Sequence, residues 1–187
     1  MMQSVILILI LVGSVRSGKR NENVFLKLPV GEYRTNFKSL YNCNAVSDKI
    51  QFNYYLNKKS DNSTEIKGNM TLVKPIDDSL FIDVNIAVKE ANGAWKENSF
   101  LFRSAKACST FKKFVGQLDL SGLGYNCTCP ITEGVYIATG FDASNFEKFN
   151  YIPKTFAYGT YKIRAGLKDI KNQSYGCIIC IVQLIRK

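Results

Sequence analysis

The chain has 187 residues, a formal charge of +10 and no histidine. Its length suits one domain. The missing histidine removes the commonest general base and the usual partner of a Ser or Cys nucleophile, which weighs against a hydrolase or transferase.

The first residues read Met-Met-Gln-Ser, then eight aliphatics from Val5 to Val12, then Gly13-Ser14-Val15-Arg16-Ser17. That run matches the core of a secretory signal and is too short for the ~20 helical residues that span a bilayer. Cleavage is expected after Ser17, with Lys19-Arg20 offering a second, dibasic site, and residues 18–187 are expected to form a single domain. Four Asn-x-Ser/Thr sequons, at Asn62, Asn69, Asn126 and Asn172, agree with export as a glycoprotein. Removing residues 1–17 takes away only Arg16, so the charge stays strongly positive. The basic residues are scattered in pairs such as Lys58-Lys59 and Lys112-Lys113. Such scatter predicts a solvated face with weak attraction to anionic lipid headgroups. Nucleic-acid binding needs charge gathered beside stacking aromatics, and no nucleic-acid partner is expected.

Residues 18–42 mix Lys, Asn and short apolar pieces, and after Cys43 the pattern becomes two-fold. Leu80, Ile82, Val84, Ile86 and Val88 alternate with Phe81, Asp83, Asn85 and Ala87, which predicts a half-buried strand. Shorter strands are predicted over 69–73, 99–103, 134–138 and 159–164, with a tight turn at Ala91-Asn92-Gly93. Phe111, Phe114, Val115 and Leu118 fall at helical spacing and predict one short helix over a sheet edge. The stretch Ile152–Gly159, punctuated by Pro153 and Gly159, reads as a loop whose aromatics are exposed. Gly176–Ile185 is nearly continuously apolar and reads as a strand with neither face in bulk water. Several short strands, turns and one helix make a mostly β domain.

Cys43, Cys108, Cys127, Cys129, Cys177 and Cys180 are even in number, as a disulfide framework requires. Along extended chain, the separations of Cys127 from Cys129 and of Cys177 from Cys180 approach or exceed the span a disulfide tolerates, so each is expected to bond elsewhere. A zinc site from the same spacings is the rival reading, but export and the absence of histidine favour bridges. No metal or cofactor is expected. The carboxylates Asp77, Asp78, Asp83, Glu90, Glu133 and Asp142 show no acid/base spacing, and neither a Gly-x-Ser-x-Gly elbow nor a phosphate-cradling loop occurs. The chain is not expected to be an enzyme.

The run Cys127-Thr-Cys129-Pro130-Ile-Thr-Glu133-Gly134-Val-Tyr136 resembles the signature of the ganglioside-GM2-activator branch of the lipid-recognition (ML) family. The resemblance continues through Ile152-Pro153, Gly159-x-Tyr161-x-Ile163 and Gly176-Cys177-Ile178. Upstream it takes in Tyr41-Asn42-Cys43, Gly68-Asn69-Met70-Thr71-Leu72 and Lys89-Glu90-x-x-Gly93-x-Trp95. It implies an immunoglobulin-like β-sandwich, or β-cup, with an apolar cavity. It implies bridges Cys43–Cys177 and Cys108–Cys129, leaving Cys127–Cys180 by elimination. It also implies a secreted or lysosomal lipid-transfer protein that lifts a glycosphingolipid from a bilayer and presents it to a soluble glycosidase. The alternative is a secreted interaction or lipid-sensing (immune or chemosensory) protein of the same fold. The chain departs from the branch in lacking one bridge and in carrying Thr155 where an apolar loop has Trp.

The candidate pocket residues are Ile82, Val84, Ile86 and Val88 on one strand, with Phe102, Tyr136, Tyr161, Ile163 and Ile178 on others. Phe149 and Ile152 lead into a membrane-facing rim of Thr155, Phe156 and Tyr158, with Trp95 on another turn. The expected ligand belongs to the glycosphingolipid, phospholipid or fatty-acid classes.

Overall fold

In the computed structural model, residues 28–43, 49–60, 63–115, 120–125, 128–148 and 152–187 are described. The signal segment, Asn62, Leu118, Asn126, Cys127 and Phe149 lie outside them.

Two-residue periodicity builds most of the chain. β1 (Val30–Asn42), β2 (Ile50–Ser60), β3 (Ser63–Leu72), β4 (Phe81–Lys89) and β5 (Trp95–Ser104) are followed by helix α1 (Ala107–Val115). β6 (Gly134–Asp142), β7 (Thr155–Ala157), β8 (Gly159–Lys168) and β9 (Ser174–Arg186) complete the set. They form a six-stranded sheet in the order β5-β4-β8-β9-β1-β7 and a three-stranded sheet in the order β2-β3-β6. The described pairings are antiparallel, which leaves one face of each sheet to meet the other and one to meet water.

Local chemistry fixes the joints. Gly93 takes φ +86° in the β4–β5 turn, Asn92 Oδ1 accepts the Ala94 N–H at 2.9 Å, and the Glu90 N–H donates to the Ala94 carbonyl at 2.8 Å. At the start of α1 the Asp78 carboxylate accepts both the Ser109 N–H (2.8 Å) and the Ser109 hydroxyl (2.5 Å). Those bonds hold Asp78 below the usual carboxylate range and satisfy a helix-end donor, while Lys112 and Lys113 occupy the last turn. The bridge Cys43–Cys177 ties the end of β1 to β9, and Cys108–Cys129 ties α1 to the segment before β6.

Two expectations are corrected here. The polar-looking stretch before Cys43 contains β1, a 13-residue strand. Its pairing with β9 shifts between Phe37 and Ser39, so its inward apolar residues fall out of simple alternation. The expected loop at 152–159 contains β7. β1 runs beyond the end of β9, and Thr155–Ala157 pair with the free backbone of Val30–Glu32.

Candidate functional site

The site is the space between the sheets, and strand register says which side chains face it. Across the six-stranded sheet, one inner row runs Phe102, Val84, Ala165, Ile178; the next runs Phe100, Ile86, Ile163, Cys180, Leu40. A third runs Val88, Tyr161, Val182, Phe37. The three-stranded sheet answers with rows led by Phe52 (beside Met70 and Tyr136), Tyr54 (beside Gly68 and Ala138) and Leu56 (beside Ile66).

Burial differs sharply between these rows. Val88 and Tyr161 are 0% and 2% exposed, and with Val182 they form a packed end that Ile86, Ile163 and Cys180 border. Phe156 meets Tyr161 edge-on there, with centroids 5.6 Å apart. At the other end Ile50, Leu72, Leu80 and Cys108 make a second packed cluster, against which Ile82 and Leu167 lie.

Between the ends, Val84, Ile86, Phe100, Phe102, Ile163, Ile178 and Cys180 are only half-buried, as are Phe52, Tyr54 and Leu56 opposite. β8 and β9 each have a hydrogen-bonded strand on both sides, so mid-strand side chains there reach solvent only through a face. In a filled sandwich those positions are close-packed. Here the inward side chains between the packed ends stay only partly covered, and this stretch is the candidate hollow. The sheets approach each other where β2 nears β1 and β9, and α1 lies on the far side, beside β4.

The ionisable groups around the hollow are kept neutral. Burial pushes the Cys180 thiol up to about 12 and the Tyr161 phenol up to about 12, and the Tyr161 hydroxyl donates to the Ala157 carbonyl at 2.8 Å. Burial also raises the Tyr54 phenol, whose oxygen is buried without a hydrogen-bond partner. Among the described residues no group of His, Cys, Asp and Glu is placed to hold a metal.

Of the candidate pocket residues, Val84, Ile86, Phe102, Ile163 and Ile178 face inward and are half-buried, and Ile82, Val88 and Tyr161 belong to the packed ends. Tyr136, on the inner face beside Met70, lines a cavity of about 240 Å³ with Tyr125, Thr128, Ile131 and Thr132. Its hydroxyl donates to the Thr132 carbonyl at 2.7 Å, so the lining is too polar for hydrocarbon. Ile152 is half-buried.

The expected rim is corrected in part: Thr155 is exposed, and the other three residues are placed differently. Phe156 turns inward onto Tyr161, and the Tyr158 hydroxyl donates to the Glu32 carbonyl at 3.0 Å, because β7 is stitched to β1. Trp95 stands on the outer face of the six-stranded sheet: it pairs with Lys89 beyond an irregularity in β4–β5 pairing, and its ring lies 5.1 Å from Lys162 Nζ. The bridge Cys127–Cys180 is corrected too. Cys180 is a free thiol. Its even position in β9 points it at the hollow beside Ile163, while Cys177, on the opposite face, bonds Cys43. Sequon residue Asn69 lies on the outer face of β3, accepting from Asn53 Nδ2 at 3.0 Å, and Asn172 is exposed in the β8–β9 turn.

The sequence reading missed Phe52, Tyr54 and Leu56 of β2, Phe37 and Leu40 of β1, Phe100, and Cys180 as a lining group. The alternation Ile50, Phe52, Tyr54, Leu56 carries the signal that finds β2.

A comparison with curated proteins finds no match. Among solved structures, chicken MD-1 complexed with lipid IVa is similar at 16% identity and a TM-score of 0.34, over 84% of this chain and 98% of that one. The sequence pattern of the ML domain matches residues 39–184, from the end of β1 nearly to the end of β9. The chain therefore belongs to the ML domain family.

Proposed function

We propose that this protein is an exported, non-catalytic lipid carrier whose hollow holds acyl chains and exchanges them with membranes. The observation that carries the reading is the incomplete burial of Ile163, Ile178 and Cys180 in the middle of a six-stranded sheet. Apolar surface left open to water at the centre of a domain is costly, and hydrocarbon removes that cost. Each methylene moved from water into the hollow contributes ~0.8 kcal/mol, so a long chain is held firmly. Moving it from a bilayer gains almost nothing, because both environments are apolar, so exchange needs a surface that approaches lipid.

Membership of the ML domain family supports the same reading. The finer role is that of a sphingolipid activator, secreted or lysosomal, presenting a glycolipid to a soluble glycosidase. It rests on the resemblance carried by the Cys127–Tyr136 signature and the motifs around it. The signal-like start and the sequons support export and glycosylation.

Native mass spectrometry of the purified protein tests the carrier reading. Intact protein carries added mass from co-purified lipid, loses it on delipidation and regains it from vesicles. A delipidated protein that takes up no lipid sinks the proposal.

A further inference from the structure

If the hollow exchanges lipid with membranes, some surface must meet them, and the inward-turned Phe156 leaves that surface unassigned. The outer face of β4, β5 and β8 has the chemistry. Register places Phe81, Asp83, Asn85, Ala87 and Lys89 of β4 on it, beside Leu101 and Arg103 of β5 and Lys162, Arg164 and Lys168 of β8. Leu101 is 64% exposed although it is a large aliphatic. Trp95 joins this face between Lys89 Nζ, 5.9 Å from its ring, and Lys162 Nζ. Arg103 lies over the Phe81 ring at 4.9 Å.

Charge on the face is unequal. Its two carboxylates are both engaged, Glu97 with Lys162 at 2.5 Å and Asp83 with Lys168. Lys89, Arg103 and Arg164 have no carboxylate among the described residues and are exposed, so the face carries a surplus of three positive charges. A solvated sheet face accounts for lysines alone. It does not account for the chain's single tryptophan and an exposed leucine set among them. Indole rings favour the headgroup level of a bilayer, and basic side chains favour anionic headgroups. The opposite side of the molecule carries the Asn69 sequon on β3, whereas β4, β5 and β8 contain none.

We infer that the outer face of β4, β5 and β8, centred on Trp95, Leu101, Lys89 and Arg164, docks on an anionic bilayer. This rests on the carrier reading for its purpose but not for its test.

The test is flotation of the full, lipid-loaded protein with vesicles of phosphatidylcholine, with and without phosphatidylglycerol. Wild type floats with the anionic vesicles and is released by salt. Lys89→Glu/Arg164→Glu weakens flotation by about tenfold or more, and Leu101→Gln weakens it at unchanged charge. Lys112→Glu/Lys113→Glu, the same charge change on the exposed side of α1, leaves most binding intact. Equal loss from both double reversals reduces the effect to net charge and overturns the inference, as does wild-type protein that ignores anionic vesicles. Native mass spectrometry of each variant separates the two proposals. Retained lipid without flotation condemns the docking face alone, and flotation without any lipid condemns the hollow alone.

Discussion

Phe102 of β5 and Phe114 of α1 meet edge-to-face with ring centroids 6.0 Å apart, joining the edge of the six-stranded sheet to the helix. In the proposed carrier this contact closes one side of the hollow. Phe114→Ala should destabilise the fold by about 2 kcal/mol, below the cost for a fully buried Phe because the side chain is half-exposed. It should also speed lipid exchange. Urea titration and the rate of lipid transfer between vesicle populations check the two effects separately.

A filled core and an open one respond oppositely to added bulk. Ile163→Trp in a packed interior costs about 1–3 kcal/mol through strain. If the proposed hollow is there, the larger side chain occupies free space, so the urea midpoint should change little while lipid uptake falls. A large loss of stability with uptake retained would show that the space is not there.

The two described bridges close loops of very different length. Cys43–Cys177 spans 134 residues and Cys108–Cys129 spans 21. Loop-closure entropy assigns them about 5 and about 3 kcal/mol. Cys43→Ser/Cys177→Ser should therefore lower the urea midpoint further than Cys108→Ser/Cys129→Ser. Equal losses, or the reverse order, would contradict this.

Alkaline pH should weaken the fold. The Cys180 and Tyr161 groups are raised to about 12 by burial, so the folded chain keeps protons that the unfolded chain releases near the ordinary values. Their contribution is intact below about pH 9 and is lost as pH rises toward about 12. Urea midpoints at about pH 8 and about pH 10.5 measure the loss. Tyr161→Phe should flatten part of it.

How much of this was legible depended on local regularity. The alternation from Leu80 to Val88 is uninterrupted, and β4 and its inward face follow from it. α1 announced itself through Phe111, Phe114 and Val115, although it begins at Ala107. β1 hid because a register shift after Phe37 moves the inward apolar position from odd to even numbers. β7 hid because its reason for being extended lies 125 residues earlier, in the unpaired start of β1. No local pattern records such a pairing. Trp95 was placed at a rim from its neighbourhood in sequence, and an irregularity in the β4–β5 pairing sets it outside instead. The hollow itself was a family expectation. Sequence shows which residues face inward, but it does not show whether the opposing faces touch.

The position of Trp95 decides what light can report. The chain's lone indole stands on the outer face between two ammonium groups, away from Ile163, Ile178 and Cys180. Its emission should ignore cargo entering the interior and shift to the blue only when that exterior face leaves water. A single fluorimeter trace can therefore time arrival at a surface without being confused by filling.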